Sequence, residues 1–338
     1  MAPDSLLAIM RTAIEIEMQQ MIARSIPAEY QGMTPLLAYH LGWEGEGAGQ
    51  EAQGKRIRPL IVLLCAASIA GRWRQALPAA AAVELIHNFS LIHDDIQDRS
   101  EIRRGRPTVW VRWGVAQAIN AGDLMFTLAQ ASILRLSETV SPPAGLRAAK
   151  LLNETSIRLT GGQYLDMTYE SRPDLSIEDY WPMVEGKTAA LLECCAVLGG
   201  IASEARDEQL DYLKEFGKNL GLAFQVVDDW LGIWGNDAII GKSTQSDLIS
   251  GKKTLPVLYG LSKKGPFFDR WMRGNIHPEE THQLAQMLAR EEAKDYTHHI
   301  ADELTGKSLA ALMKAVPNSN EACETLIQLA NELLNREQ

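Results

Sequence analysis

Residues 93–98 read His-Asp-Asp-Ile-Gln-Asp and close a strongly apolar stretch that runs from Val83 to Ile92. On a helix, Asp94 and Asp98 lie one turn apart on one face. Like charges at that spacing repel, so folding alone gives little reason for the pair. A hard divalent cation gives one, because magnesium prefers oxygen ligands and keeps substrate phosphates in its shell. A second acidic pair, Asp228 and Asp229, ends the segment Phe-Gln-Val-Val-Asp-Asp after another apolar helical run. Adjacent carboxylates there are costly unless a polar cavity receives them. Together the two motifs suggest facing helices around a metal cluster. Bases are interleaved with them: Lys55, Arg56 and Arg58, then Arg103, Arg104 and Arg106, then Lys187, Lys242, Lys252 and Lys253. Arginine forks match phosphate oxygens and lysine acts as a point charge, so the pattern suggests a diphosphate site.

The elements that must position these groups read as helices. Residues 5–26 place Leu6, Ile9, Met10, Ala13, Ile14, Ile16 and Met21 at helical spacing. A Gly-rich stretch at 42–54 reads as a loop. Apolar segments follow at about 59–70, 78–97, 115–137, 144–168, 177–201, 207–234, 254–263 and 278–336. Most are longer than strands usually are. Pro78 and Pro278 suit first-turn positions, Ser141-Pro142-Pro143 separates two helices, and Ser176 with Asp179 has the form of a capping box. Solenoid repeats, low-complexity tracts and clear linkers are lacking, so the expectation is one all-α domain over 1–338.

Composition narrows the function. The net charge of −10 argues against a general nucleic-acid binder. Cys65, Cys194, Cys195 and Cys323 form no C-x-x-C pair, which excludes zinc-knuckle and thioredoxin readings and suggests a reducing, cytoplasmic setting. The N-terminus lacks the apolar core of a signal peptide. The longest apolar run, Pro59 to Gly71, is well short of the ~20 residues a membrane span needs.

The set GKRIRP (54–59), HDDIQD (93–98), RRGRPT (103–108), GGQYLD (161–166), GKT (186–188), FQVVDD (224–229) and DLISGKKTLP (247–256) resembles the trans-isoprenyl diphosphate synthases. The motifs stand in the family's order from about residue 50 to residue 257; the first thirty and last eighty residues carry none. The resemblance implies a single-domain helical bundle around a central cavity, a homodimer, and three magnesium ions per site. It implies that Asp94 and Asp98 hold two ions and Asp228 a third, with Asp95 and Asp229 supporting them. Arg103, Lys187 and Lys252 look like contacts to an allylic diphosphate, with Lys242 a further base of the site. Lys55, Arg58, His87 and Arg104 look like an isopentenyl diphosphate pocket. Thr188 and Gln225 resemble the groups that face a developing carbocation, and Gln163 and Asp166 match a motif lining the same cavity. In one departure, many members carry an aspartate four residues after Asp228; here that position is Gly232.

Ser90 lies one turn before Asp94, ~6 Å down the helix, and Phe89 one position further. An aromatic at 89, a small residue at 90 and no insertion in DDIQD resemble the geranylgeranyl (C20) type, with C15 and C25 as alternatives. A class I terpene cyclase shares the fold and the first aspartate motif but has no need of an isopentenyl diphosphate pocket. A non-catalytic regulatory subunit would lack metal ligands or arginines, and only Gly232 points that way.

Overall fold

The computed structural model describes residues 5–235 and 246–334, so Lys242 lies outside the described residues. In chain order the helices are α1 (Leu6–Ser25), α2 (Thr34–His40), α3 (Gln50–Gln53), α4 (Ile57–Ala70), α5 (Leu77–Gln97), α6 (Val109–Trp113), α7 (Val115–Leu134), α8 (Pro142–Glu170), α9 (Ile177–Val184), α10 (Ala190–Ala202), α11 (Asp207–Trp234), α12 (Ser246–Ile249), α13 (Leu255–Lys263), α14 (Pro266–Trp271), α15 (Thr281–Arg290), α16 (Ala293–Ala315) and α17 (Glu321–Leu334). Among the described residues the strands are two-residue pieces, β1 (Ile102–Arg103) and β2 (Arg106–Pro107), paired antiparallel. Arg104 (φ 51°) and Gly105 (φ 72°) make the turn between them. Positive φ at both central residues is what a tight hairpin with matching twist requires.

The chain forms two compact units. One comprises Met1–Glu154, Cys195–Leu210 and Asn318–Cys323; the other comprises Thr155–Cys194, Asp211–Pro317 and Glu324–Gln338.

In the first unit α5 is the central element. Pro78 sits in its first turn, as its missing N–H allows. Ala79 to Ala82, Val83, Leu85 and Ile86 are fully buried, and the small alanines let α7 pack closely along α5. Helix α4 is buried over Leu60–Ala66 on every side, as an all-round apolar helix must be. Helix α1 buries Met10, Ile14, Met18 and Met21, one per turn, and leaves Glu15 and Glu17 beside arginines. The 42–54 loop contains the single turn α3 and is tied down. The Trp43 indole donates to Glu15 Oε2 at 2.6 Å, and Arg106 donates to the carbonyls of Tyr39, Glu44 and Glu46 while stacking on the Tyr39 ring.

In the second unit, Ile233, Leu248, Val257, Phe267, Leu284 and Leu288 form one buried cluster that gathers α11 to α15. The capping box at Ser176 and Asp179 is present at the start of α9. Between α9 and α10 the helix widens into a π segment over Glu185–Ala189. The apolar segment expected at 278–336 is in fact a 3-10 turn over Pro278–Glu280 followed by α15, α16 and α17. The α15–α16 break falls at Glu292, which adopts a left-handed φ of 67°.

Candidate functional site

In the first unit the acidic motif occupies the last turn of α5. Asp94 is half-buried, Asp98 is exposed, and Asp98 is the C-cap residue, its N–H bonded to Asp94 O at 2.8 Å. Helix C-termini carry partial negative charge, and the last turn of α5 has no basic residue to offset two carboxylates. That arrangement disfavours folding unless a cation is held. Asp95 points the other way. It is 2% exposed, and Arg103 Nε lies 2.8 and 3.0 Å from its two oxygens, with Arg103 Nη2 2.8 Å from Oδ1. Burial pushes the Asp95 carboxyl above its usual range despite that pairing. The adjacent aspartates therefore differ in surroundings: Asp95 is buried and aims Arg103, while Asp94 is half-buried and Asp98 exposed.

The bases of this unit also divide. Arg56, with a left-handed φ of 50°, is 4% exposed. It bonds Glu15 at 2.6 Å, Glu84 at 2.8 Å and the Leu41 carbonyl at 3.0 Å. Arg106 is likewise spent on loop carbonyls. Lys55 stays exposed, and Arg58 Nη1 lies 3.2 Å from His87 Nε2. Arg104 spans to the carbonyls of Ala52 and Gln53, each at 2.9 Å. A small cavity of about 20 Å³ lies behind Arg103 and Arg104 and is lined also by His40 and Asp95. Burial, then Arg58 and Arg104, holds the His87 imidazole well below its ordinary pKa; burial and Arg104 do the same for His40. Phe89 packs its ring 4.9 Å from that of His93 and 5.2 Å from that of Phe126, while the Ser90 hydroxyl turns back to the His87 carbonyl at 2.9 Å.

The second unit assembles a denser constellation. Gly162 of α8 meets the π segment so closely that a Cβ there would lie 2.0 Å from the Lys187 backbone nitrogen. That contact and the π widening set Lys187 and Thr188; such bulges recur at functional sites. Lys187 Nζ donates to Asp166 Oδ2. Thr188 Oγ1 donates to Gln225 Oε1 at 2.8 Å, and Gln225 Nε2 donates to Asp229 Oδ1 at 2.8 Å. Asp229 Oδ2 accepts from Tyr180 OH at 2.8 Å and from the Leu255 N–H at 3.1 Å. Asp229 is 3% exposed, and burial raises its carboxyl to about 6 even though Lys252 and these donors favour the charged form. Asp228, its neighbour, is exposed. Desolvation acts against the Lys252 ammonium, but Asp229, Asp247, Asp166 and Asp228 more than offset it and raise its pKa. Gln163 is half-buried on α8, one turn before Asp166 and Met167.

The structure thus brings together Lys187, Thr188, Gln225, Asp229 and Lys252 in one unit, and Arg58 with His87 and Asp95 with Arg103 in the other. Tyr180 and Asp247 belong to the second constellation and were not singled out from sequence. For Asp247 the signal was present, since it opens the DLISGKKTLP motif. For Tyr180 only its burial on α9 reveals it.

Magnesium is implied by the motif pattern, and the donors present fit it. Half-buried Asp94 and exposed Asp98 and Asp228 are all oxygen donors, the class that a hard cation takes. Among the described residues no three His, Cys, Asp or Glu side chains form a ready-made cage. Magnesium ordinarily needs only one or two carboxylates, with substrate phosphates completing its shell.

Nearly all of the described chain is helical, and each unit sets aspartates near arginines or lysines. A family model described as polyprenyl synthetase matches residues 48–299, and the chain belongs to that family. It is 44% identical over 236 residues to a (2E,6E)-farnesyl diphosphate synthase of Mycobacterium bovis, covering 69% of this chain. That match spans 64% of the relative's own length. It is 36% identical over 289 residues to a geranylgeranyl diphosphate synthase of Methanosarcina mazei, covering 85% of this chain and 87% of the relative. Its structure is similar to a crystal structure of a polyprenyl synthetase from Streptomyces coelicolor, with TM-score 0.84 and 34% identity over 96% of this chain and 97% of that one. Among the described residues, no helix is long and apolar enough to cross a membrane.

Proposed function

We propose that the chain is a magnesium-dependent trans-prenyltransferase that joins isopentenyl diphosphate to an allylic diphosphate, giving mainly the C20 product. The observation that carries this reading is the run of hydrogen bonds from Thr188 through Gln225 to Asp229, set beside Lys187 and Lys252. The family match runs across both compact units, which supports reading the chain as one catalytic domain.

Asp94, Asp98 and Asp228 are the proposed magnesium ligands, for three ions per site. Magnesium held there would stabilise the charge that grows on the allylic diphosphate as its carbon–oxygen bond breaks. Lys187, Lys252 and Arg103 bind that diphosphate as fixed cations, Arg103 being aimed by Asp95. Groups held in place before reaction cost no reorganisation when charge develops. Asp229 fixes the amide of Gln225 so that its oxygen, shared with the Thr188 hydroxyl, presents negative charge to the allylic cation. Lys55, Arg58, His87 and Arg104 bind isopentenyl diphosphate, whose alkene attacks that cation. Loss of a proton to the departing diphosphate completes the coupling. Gln163 lines the same site. A family-type homodimer and a reducing, cytoplasmic setting complete the reading; the four cysteines are buried and form no disulfide, which supports the latter.

Ser90, with its hydroxyl folded back on its own helix, and Phe89, packed on Phe126, support C20 as the principal product. The relative named for farnesyl diphosphate supports C15 as the second reading. Purified protein supplied with magnesium, labelled isopentenyl diphosphate and an allylic starter should yield a labelled linear prenol. In the same assay Ser90→Phe should shorten the product. No incorporation by the unaltered chain would overturn the function, and an unchanged product length in the variant would overturn the floor at position 90.

A further inference from the structure

The second acidic motif lacks a carboxylate four residues after Asp228, where Gly232 stands. Positions 228 and 232 are one helical turn apart on the same face, so a side chain at 232 would project beside that of Asp228. That space is taken. A Cβ built on Gly232 would lie 2.4 Å from Oδ2 and 3.2 Å from Cγ of Asp247, with nothing but Asp247 among its nearest neighbours. The half-buried Asp247 belongs to α12, fifteen positions later in the chain, and its carboxylate stands where the side chain at 232 would begin. The turn after α12 fixes this placement. The Lys252 N–H donates to the Asp247 carbonyl at 2.9 Å and the Ser250 hydroxyl to the same carbonyl at 3.1 Å. Lys252 in turn faces Asp247, Asp228, Asp229 and Asp166.

On the reading of this chain as a magnesium-dependent diphosphate enzyme, we infer that Asp247 supplies from α12 the carboxylate that Gly232 omits, and that it completes the magnesium site at Asp228. Glycine at 232 is then a requirement, because any side chain there would displace the Asp247 carboxylate. The oxygen donors are Asp228 and Asp247, with phosphate oxygens of the bound diphosphate filling the rest of the shell. Asp229 is excluded from the donor set because both its oxygens are already engaged by Gln225, Tyr180 and the Leu255 N–H. The metal-binding role of the motif has thereby moved to a different element without leaving its place in space.

The test is an exchange of the carboxylate between the two positions. Magnesium affinity is measured by titration calorimetry in the presence of inorganic diphosphate, with a diphosphate titration without magnesium alongside. Asp247→Asn should weaken magnesium binding roughly tenfold or more, while diphosphate binding without magnesium stays within about twofold of the unaltered chain. Gly232→Asp combined with Asp247→Ala should recover most of the lost affinity, since the carboxylate returns from the other side of the same space. Helical circular dichroism checks that each variant folds, and Asp247→Asn, being isosteric, keeps the test decisive if the double variant does not fold. Unchanged magnesium affinity in Asp247→Asn would overturn the inference. So would a loss confined to magnesium-free diphosphate binding, which would make Asp247 a partner of Lys252 only. An unaltered chain that shows no magnesium-dependent diphosphate binding would overturn both this inference and the functional reading beneath it.

Discussion

Each acidic pair contains one buried aspartate that the protein itself engages, beside a more exposed neighbour. Asp95 clamps Arg103, and Asp229 gathers Tyr180, Gln225 and the Leu255 backbone. From sequence, the pairs were legible as metal-ligand candidates because carboxylates after apolar helices are costly without a purpose. The division within each pair came only from the family resemblance, which sets Asp95 and Asp229 apart as supporting residues; residue type and spacing alone do not show which of two adjacent carboxylates the protein engages. The same holds for the bases, where Arg56 and Arg106 are buried structural groups and Lys55 is exposed. Tyr180→Phe should lower kcat about tenfold with both KM values within about twofold, because it loosens Gln225 through Asp229. It should also cost about 1–3 kcal/mol in urea unfolding, as expected for a buried acceptor losing a donor. A variant with unchanged kcat would remove Tyr180 from the site. His40 and His87 give a pH dependence. Their folded pKa values lie well below the unfolded value of 6.5, so below that value the unfolded state binds more protons. Stability is then fully present above about pH 6.5 and declines as pH falls beneath it. Melting temperature at pH 7.5 and 5.5 should drop less steeply for His40→Asn combined with His87→Gln; an equal drop would contradict the assignment.

At the scale of elements, the helical pattern was legible wherever apolar spacing and punctuation agreed. Pro78, Pro142 and the Ser176–Asp179 box mark helix starts where the structure has them. The segment 278–336 was not resolved into its pieces: the break at Glu292 has no glycine or proline to announce it, whereas the break between α16 and α17 carries Pro317, a signal that was present in the sequence. The π segment at 185–189 was also invisible, since one wider turn leaves the apolar pattern intact. Its position depends on α8. Gly162→Val should push α8 off the π segment, costing about 1–3 kcal/mol for overpacking and lowering kcat about 100-fold through displaced Lys187 and Thr188. Chemical denaturation and steady-state kinetics check the two effects. A folded variant with full activity would show that the Gly162 contact does not set the catalytic groups.

At the scale of the molecule, seven motifs in order pointed to the family, and the match over residues 48–299 bears that out. The chain divides into two compact units whose boundaries at 154/155, 194/195 and 210/211 fall inside helices, with no composition change to mark them. The position of Asp247 against Gly232 was equally hidden, since fifteen residues of chain separate them and only the folded turn brings them together. Relatives named farnesyl and geranylgeranyl diphosphate synthase match at 44% and 36% identity, so overall similarity does not separate the two product lengths. The central claim is that this chain couples isopentenyl diphosphate to an allylic diphosphate. The most direct measurement is inorganic diphosphate release from geranyl or farnesyl diphosphate, with magnesium, in the presence and absence of isopentenyl diphosphate. Release that rises many-fold when isopentenyl diphosphate is added, with a longer linear prenol as product, is the expected result. Release that is independent of isopentenyl diphosphate and yields a cyclic hydrocarbon would contradict the account.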